Sequence, residues 1–113
     1  MYINSLLKLL SEASIEHLLT PMSPDEVPGN WSKNSDGTYD VKGDVNLYHQ
    51  RLKKLPWKFR KVSGDFYCHY NQLTSLEGAP KEVSGYFSCY NNRRQFTIED
   101  VKKVCNVKGN IYV

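Results

Sequence analysis

A chain of 113 residues with 40% hydrophobic and 24% charged positions has room for one compact domain with a modest core. Its net charge of +3 permits contact with nucleic acid without arguing for it, and no apolar run approaches the roughly 18 residues that cross a membrane. Three cysteines, an odd number with no CxxC pair, argue against a secreted disulfide scaffold and a cysteine-rich zinc site; reduced thiols in a cytoplasm are expected.

In chain order, residues 1–20 come first. Ile3, Leu6, Leu7 and Leu10 follow the i, i+3, i+4, i+7 spacing of an amphipathic helix, Ile15, Leu18 and Leu19 continue its apolar face, and Pro21 marks its stop. The segment lacks a basic start, Lys8 and Glu12 break its apolar run, and no small-residue cleavage site follows. It therefore reads as a helix capping the first edge of the fold and not as a signal peptide. Residues 21–41 read as a linker and a leading strand. Three prolines and the polar NWSKNSDG stretch precede TYDV, with Trp31 as an anchor to the core and Asp36-Gly37 as a turn. Lys42-Gly43 is expected to fold TYDV back on Val45–Leu47 as a hairpin.

From residue 42 the chain repeats itself. KGDVNLYHQRLKKLPWKFRKV (42–62), SGDFYCHYNQLTSLEGAPKEV (63–83) and SGYFSCYNNRRQFTIEDVKKV (84–104) align without a gap at 21 residues, and KGNIYV (108–113) opens a fourth unit with a closing strand over 109–113. Gly43, Gly64, Gly85 and Gly109 begin the units, where a tight turn into a strand is expected. Apolar pairs follow at the strand period of two: Val45 and Leu47, Phe66 and Cys68, Phe87 and Cys89, Ile111 and Val113. Gln50, Asn71 and Asn92 place a side-chain amide where it can bond the turn backbone. Leu52 and Leu73, then Leu55 and Leu76, continue the seam, and Val62, Val83 and Val104 end the units. One unit cannot bury its apolar edge alone, but stacked parallel strands about 4.8 Å apart bury it together. The third unit departs from the pattern: Arg94 takes the first leucine position, and TIEDVKKVCNV reads as a capping helix with Thr97 at its N-cap and Ile98, Val101 and Cys105 on one face.

The middle unit, Phe66-x-Cys68-x-x-Asn71-x-Leu73-x-x-Leu76, resembles the leucine-rich-repeat pattern. NQLTSLEGAPKEV followed by SGYFSCYNN, the ending FTIEDVKKVCNVKGNIYV and the opening DGTYDVKGDVNL together resemble the short repeats of tailed-bacteriophage leucine-rich-repeat proteins over about residues 36–113. The repeat and its flanking helices predict an α+β solenoid, a leucine-rich-repeat-like stack of parallel strands with helical caps at both ends. The resemblance implies a phage product acting in the cytoplasm of an infected bacterium, and it supplies no catalytic residues.

Few constellations carry chemistry. Cys68 and Cys89 fall one repeat apart, but their Cβ vectors run parallel, which favours buried thiols over a disulfide. His49 and His69 are not equivalent in the repeat and lack a carboxylate pair at ligand spacing, so neither a metal site nor a Cys/His nucleophile is expected. No glycine loop of the phosphate-cradling kind is present.

Two binding surfaces emerge instead. Outward strand positions gather Asp44, Asn46, Asp65, Ser88, Asn110 and the candidate partner-binding residues Tyr48, Tyr67, His69, Tyr86, Tyr90 and Tyr112 on what solenoids use as a concave binding face. Tyr48, His69 and Tyr90 each lie five residues after the repeat glycine and should align in one row. The second surface is RLKKLPWKFRK, where Arg51, Lys53, Lys54, Lys58, Arg60 and Lys61 interleave with Trp57 and Phe59, a composition that can bind single-stranded nucleic acid. The leading expectation is a non-enzymatic module without cofactor that binds a host or phage protein, such as a host enzyme or defence complex, and modulates or inhibits it. The alternative is a nucleic-acid-binding accessory protein.

Overall fold

The computed structural model describes residues 30–113. The expected capping helix over 1–20 and residues 21–29 of the linker lie outside the described residues.

Two short strands open the described chain, β1 (Trp31–Lys33) and β2 (Tyr39–Val41). They pair antiparallel across a turn in which the Asn34 and Gly37 amides donate to the Thr38 and Asn34 carbonyls at 2.7 and 3.0 Å. Gly37 sits at φ +89°, where a side chain would be strained. The TYDV strand is thus present, but the expected hairpin with Val45–Leu47 is not. β2 instead runs parallel to β4 (Phe59–Val62), while β3 (Val45–Asn46) belongs to another sheet. Gly43, at φ +106°, lies between β2 and β3, where the chain passes from one sheet to the other.

The remaining strands are β5 (Phe66–Tyr67), β6 (Glu82–Val83), β7 (Phe87–Ser88), β8 (Asn106–Val107) and β9 (Ile111–Tyr112), with the helix α1 (Ile98–Val104) between β7 and β8. They stack into a solenoid with two sheets. One has the order β9-β7-β5-β3 and the other β1-β2-β4-β6-β8, all parallel except β1. The sequence period becomes the register: Val45 pairs with Phe66 and Phe66 with Phe87, and in the second sheet Val62 pairs with Val83.

Two features differ from the expectation. The return of each coil is itself a strand, so a second sheet stands where a less regular segment was anticipated. The third coil is also longer. Phe87 pairs with Ile111 and Val83 with Val107, a spacing of 24 residues rather than 21. Val107 and not Val104 therefore ends that unit, because residues 98–104 wind into α1 and the chain needs three more residues to regain register. α1 carries the expected cap: Thr97 accepts from the Asp100 amide and the Asp100 carboxylate accepts from the Thr97 amide, at 3.1 and 2.9 Å. Val101 and Cys105 are buried, whereas Ile98, expected on the same face, is 45% exposed.

The core lies between the sheets. Val45, Leu47, Phe66, Cys68, Phe87 and Cys89 are all buried, as the alternating pattern requires, and Phe59, Val62, Leu73 and Val83 meet them from the other wall. Trp31 closes the N-terminal side of the described chain, with its ring edge-on to Trp57, Phe59 and Tyr39 at 5.0, 5.3 and 5.7 Å.

Two polar ladders hold neighbouring rungs in register. At one corner the glycine amides donate upward through the stack, Gly64 to the Gly43 carbonyl, Gly85 to that of Gly64 and Gly109 to that of Gly85, at 2.9–3.0 Å. Asp44 and Asp65 carboxylates accept from the Asp65 and Tyr86 amides beside them at 2.7 Å. A Cβ on Gly64 would collide with the Asp44 carboxylate and the Gly43 carbonyl, and one on Gly85 with the Asp65 carboxylate. Close approach between rungs, and not a left-handed turn, therefore demands glycine at 64 and 85. At the opposite corner Asn71 accepts from the Gln50 and Leu52 amides and donates to the Leu47 and Cys68 carbonyls, and Asn92 repeats the motif with Leu73, Cys68 and Cys89.

Candidate binding face

The four-stranded sheet turns alternate side chains outward, and stacking converts each outward position into a row across the rungs. The row five residues after the glycines is formed as expected. The His69 ring lies between Tyr48 and Tyr90, parallel to both within 9°, at centroid distances of 5.0 and 4.6 Å. These are the separations of adjacent strands, so the backbone ladder sets the pitch of the ring stack. The rings lie face to face, and His69 turns Nδ1 toward the sheet, 3.0 Å from the buried Ser88 hydroxyl.

A second row, one residue further on, is added by the structure. His49 stacks on Tyr70 at 4.4 Å and 11°, and Asn91 occupies the same place on the next rung. All three adopt left-handed backbone at φ 53–56°, a conformation common for asparagine and costly for histidine and tyrosine. The sequence signal for this row was available: 49, 70 and 91 each lie six residues after a repeat glycine. The alternation rule alone places them off the strand. His49 and His69, non-equivalent in the repeat, come to 6.5 Å between ring centroids because His49 belongs to the corner row and His69 to the strand row.

The other expected face residues are present with different degrees of exposure. Tyr48, Tyr86 and Tyr112 are 42–44% exposed, and Tyr86 meets Tyr112 edge-on at 5.7 Å. Tyr67, His69 and Tyr90 are half-buried within the face. The Tyr67 hydroxyl donates to the Asp65 carboxylate at 2.7 Å, and this bond pushes the phenol pKa up to about 12. Ser88, placed outward by the sequence pattern, is instead buried, its hydroxyl 3.0 Å from His69 Nδ1. Beside the corner row, a shallow groove is lined by Tyr70, Asn71, Gln72, Asn91, Asn92 and Arg93.

The basic segment separates into two kinds of residue. Lys53, Lys54, Lys58, Arg60 and Lys61 are exposed, as is Arg51, but Trp57 and Phe59 are buried in the core. Arg60 is bound bidentately to Asp40, through Nε at 2.9 Å and Nη2 at 2.5 Å, and the guanidinium holds the Asp40 carboxyl down at about 2. The aromatic residues interleaved with these cations, Trp57 and Phe59, are therefore withdrawn into the core and closed to a base.

Cys68, Cys89 and Cys105 are free thiols in the core, and burial raises the pKa of each, to about 12 for Cys89 and Cys105. Thiols so protonated are poor nucleophiles. Among the described residues no group of three or more His, Cys, Asp or Glu side chains is placed to hold a metal ion, and no helix is long and apolar enough to cross a membrane. Comparison of the chain with protein-family models, with curated proteins and with solved structures gives no match.

Proposed function

We propose that this solenoid is a protein-recognition module that docks a partner on its aromatic face, through Tyr48, Tyr67, His69, Tyr86, Tyr90 and Tyr112 with the corner residues His49 and Tyr70 beside them. The observation that carries the reading is the stacked row Tyr48–His69–Tyr90 on a regular sheet. Rings held in place by their neighbours lose little conformational entropy on binding, and rigid aromatics commonly dominate interface energies. The leucine-rich-repeat likeness extends the proposal to a phage product that binds and modulates or inhibits a host protein. That extension rests on the GDFYCHYNQLTSLEG pattern and the capped third coil. The alternative, nucleic-acid binding by residues 51–61, is left with phosphate contacts only, since Trp57 and Phe59 are withdrawn from the surface.

The test compares three proteins as bait in an infected-cell lysate: the full chain, a Tyr67→Ala/Tyr90→Ala double variant, and a Lys53→Glu/Lys54→Glu/Lys58→Glu triple variant. A partner captured by the full chain should bind the tyrosine variant at least about 2 kcal/mol more weakly, with unchanged melting, and the lysine variant nearly as well. The reverse order, with binding that falls steeply as salt rises, would move the site to the basic segment.

A further inference from the structure

At the centre of the aromatic row is a residue that titrates near neutral pH, and its surroundings favour one protonation state. The His69 imidazole is sandwiched between Tyr48 and Tyr90, with Tyr67 edge-on at 5.8 Å and Tyr70 at 5.7 Å on its own rung. From the β7 side the buried Ser88 hydroxyl meets Nδ1 at 3.0 Å, and from the β3 side the His49 ring stands at 6.5 Å. His49 is in turn stacked on Tyr70.

No carboxylate is bonded to either imidazole among the described residues. Asp65, on the same rung as His69, is occupied by the Tyr67 hydroxyl and the Tyr86 amide, and Asp44 by the Asp65 amide. The cation Arg93 lines the groove beside Tyr70, and Arg51 follows His49 by two residues.

We propose that the row is an acid-sensitive contact: it stacks around a neutral His69 at neutral pH, and protonation of His69 forces it apart and releases a partner seated on it. Release of a partner rests on the function proposed above; opening of the row does not.

Three physical effects act together. At Nδ1 a neutral imidazole can accept from or donate to the Ser88 hydroxyl according to its tautomer, whereas a protonated one can only donate, so protonation confines the buried hydroxyl to accepting. The His49 ring, 6.5 Å away with no carboxylate bonded between them, adds a coulombic cost to a cation at His69. Burial, chiefly, and the neighbouring His49 depress the pKa of His69 below that of a free histidine. The sign follows. A row that holds the neutral form more strongly than an open chain does is favoured above pH 6.5, and loses that advantage as pH falls through the depressed pKa of His69. A partner that buries His69 further lowers its pKa again, so binding should weaken by up to tenfold per pH unit for each proton taken up.

The test is a titration of the full chain from pH 8 to 5, following imidazole and tyrosine ring resonances by NMR. The expected result is a His69 midpoint below 6.5, with the Tyr48 and Tyr90 ring signals leaving their stacked positions at that same midpoint. Tyrosine signals that stay flat through the His69 transition, or a His69 midpoint at or above 6.5, would overturn the proposal. A His49→Asn variant, suited to the left-handed backbone that Asn91 already adopts at the equivalent place, should raise the His69 midpoint; an unmoved midpoint would exclude the coupled pair. These outcomes are independent of the bait comparison. A silent Tyr67→Ala/Tyr90→Ala variant sinks the docking face, whereas flat ring signals sink only its control by acid.

Discussion

Asn71 shows what a single side chain can do in a stack of short rungs. Its carboxamide oxygen accepts from the Gln50 and Leu52 amides of the preceding rung, both at 3.0 Å, and its nitrogen reaches the Leu47 carbonyl at 2.8 Å. Turns that cannot bond within themselves are thus bonded through one side chain, and an alanine would leave buried backbone groups unsatisfied at about 1–3 kcal/mol each. Asn71→Ala should therefore lower unfolding free energy in urea by about 3 kcal/mol, and Asn92→Ala, with one amide acceptor contact in place of two, by less. Equal, small losses below about 1 kcal/mol would mean that water takes over these bonds. The asparagine position was legible because it recurs at 21-residue spacing, as was the Tyr48–His69–Tyr90 row. The corner row of His49 and Tyr70 recurs at the same spacing, yet period-two alternation stops at the strand end and does not assign it to the face, which these residues reach through left-handed backbone that neither favours. Ser88 was misplaced for a related reason: alternation predicts the side of the sheet, not how far a neighbouring imidazole will cover it.

Among the elements, α1 is the one that interrupts the period. A seven-residue helix is too short to persist by propensity alone, so its caps and its buried side decide whether it forms. Thr97 and Asp100 form the reciprocal box, Arg94 pairs with Asp100 at 3.2 Å while lying over the Phe96 ring, and Val101 is fully buried. Thr97→Ala should cost about 1 kcal/mol, read as a drop of several degrees in melting temperature, and Thr97→Ser should restore most of it. A silent Thr97→Ala would assign the helix wholly to burial of Val101 and Cys105. The helix itself was readable from its capping residues, but its effect on register was not. Val104 satisfies the 21-residue pattern by position, yet it lies in the last turn of a helix that rises only about 1.5 Å per residue, so three further residues are needed before Val107 meets Val83. The second sheet was hidden for a different reason. Its strands are only two to four residues long, and Lys61, Glu82 and Asn106 beside the buried or half-buried valines look like loop in composition.

At the scale of the whole molecule, stability is carried between neighbouring rungs. A residue in a middle rung takes part in two interfaces, and a residue in the last rung in one. Phe66 is fully buried, flanked by the rings of Phe59 at 5.3 Å and Phe87 at 5.2 Å, and its strand is bonded on both sides. Ile111 is half-buried in β9, which is bonded to β7 alone. Phe66→Ala should cost about 3–5 kcal/mol, the range for large aromatic truncations in cores. Against a total of about 5–10 kcal/mol, such a loss unfolds the solenoid as a unit and leaves a measurable unfolded fraction at ordinary temperature. Ile111→Ala should instead cost about 1 kcal/mol and act locally: the amides of residues 109–113 exchange faster with solvent while those of β3 and β5 keep their protection. Hydrogen exchange on both variants, with urea unfolding alongside, separates the two behaviours. If Ile111→Ala were to lower protection uniformly from residue 45 onward, the rungs would be coupled over their full length, and the nearest-neighbour account of this solenoid would fail.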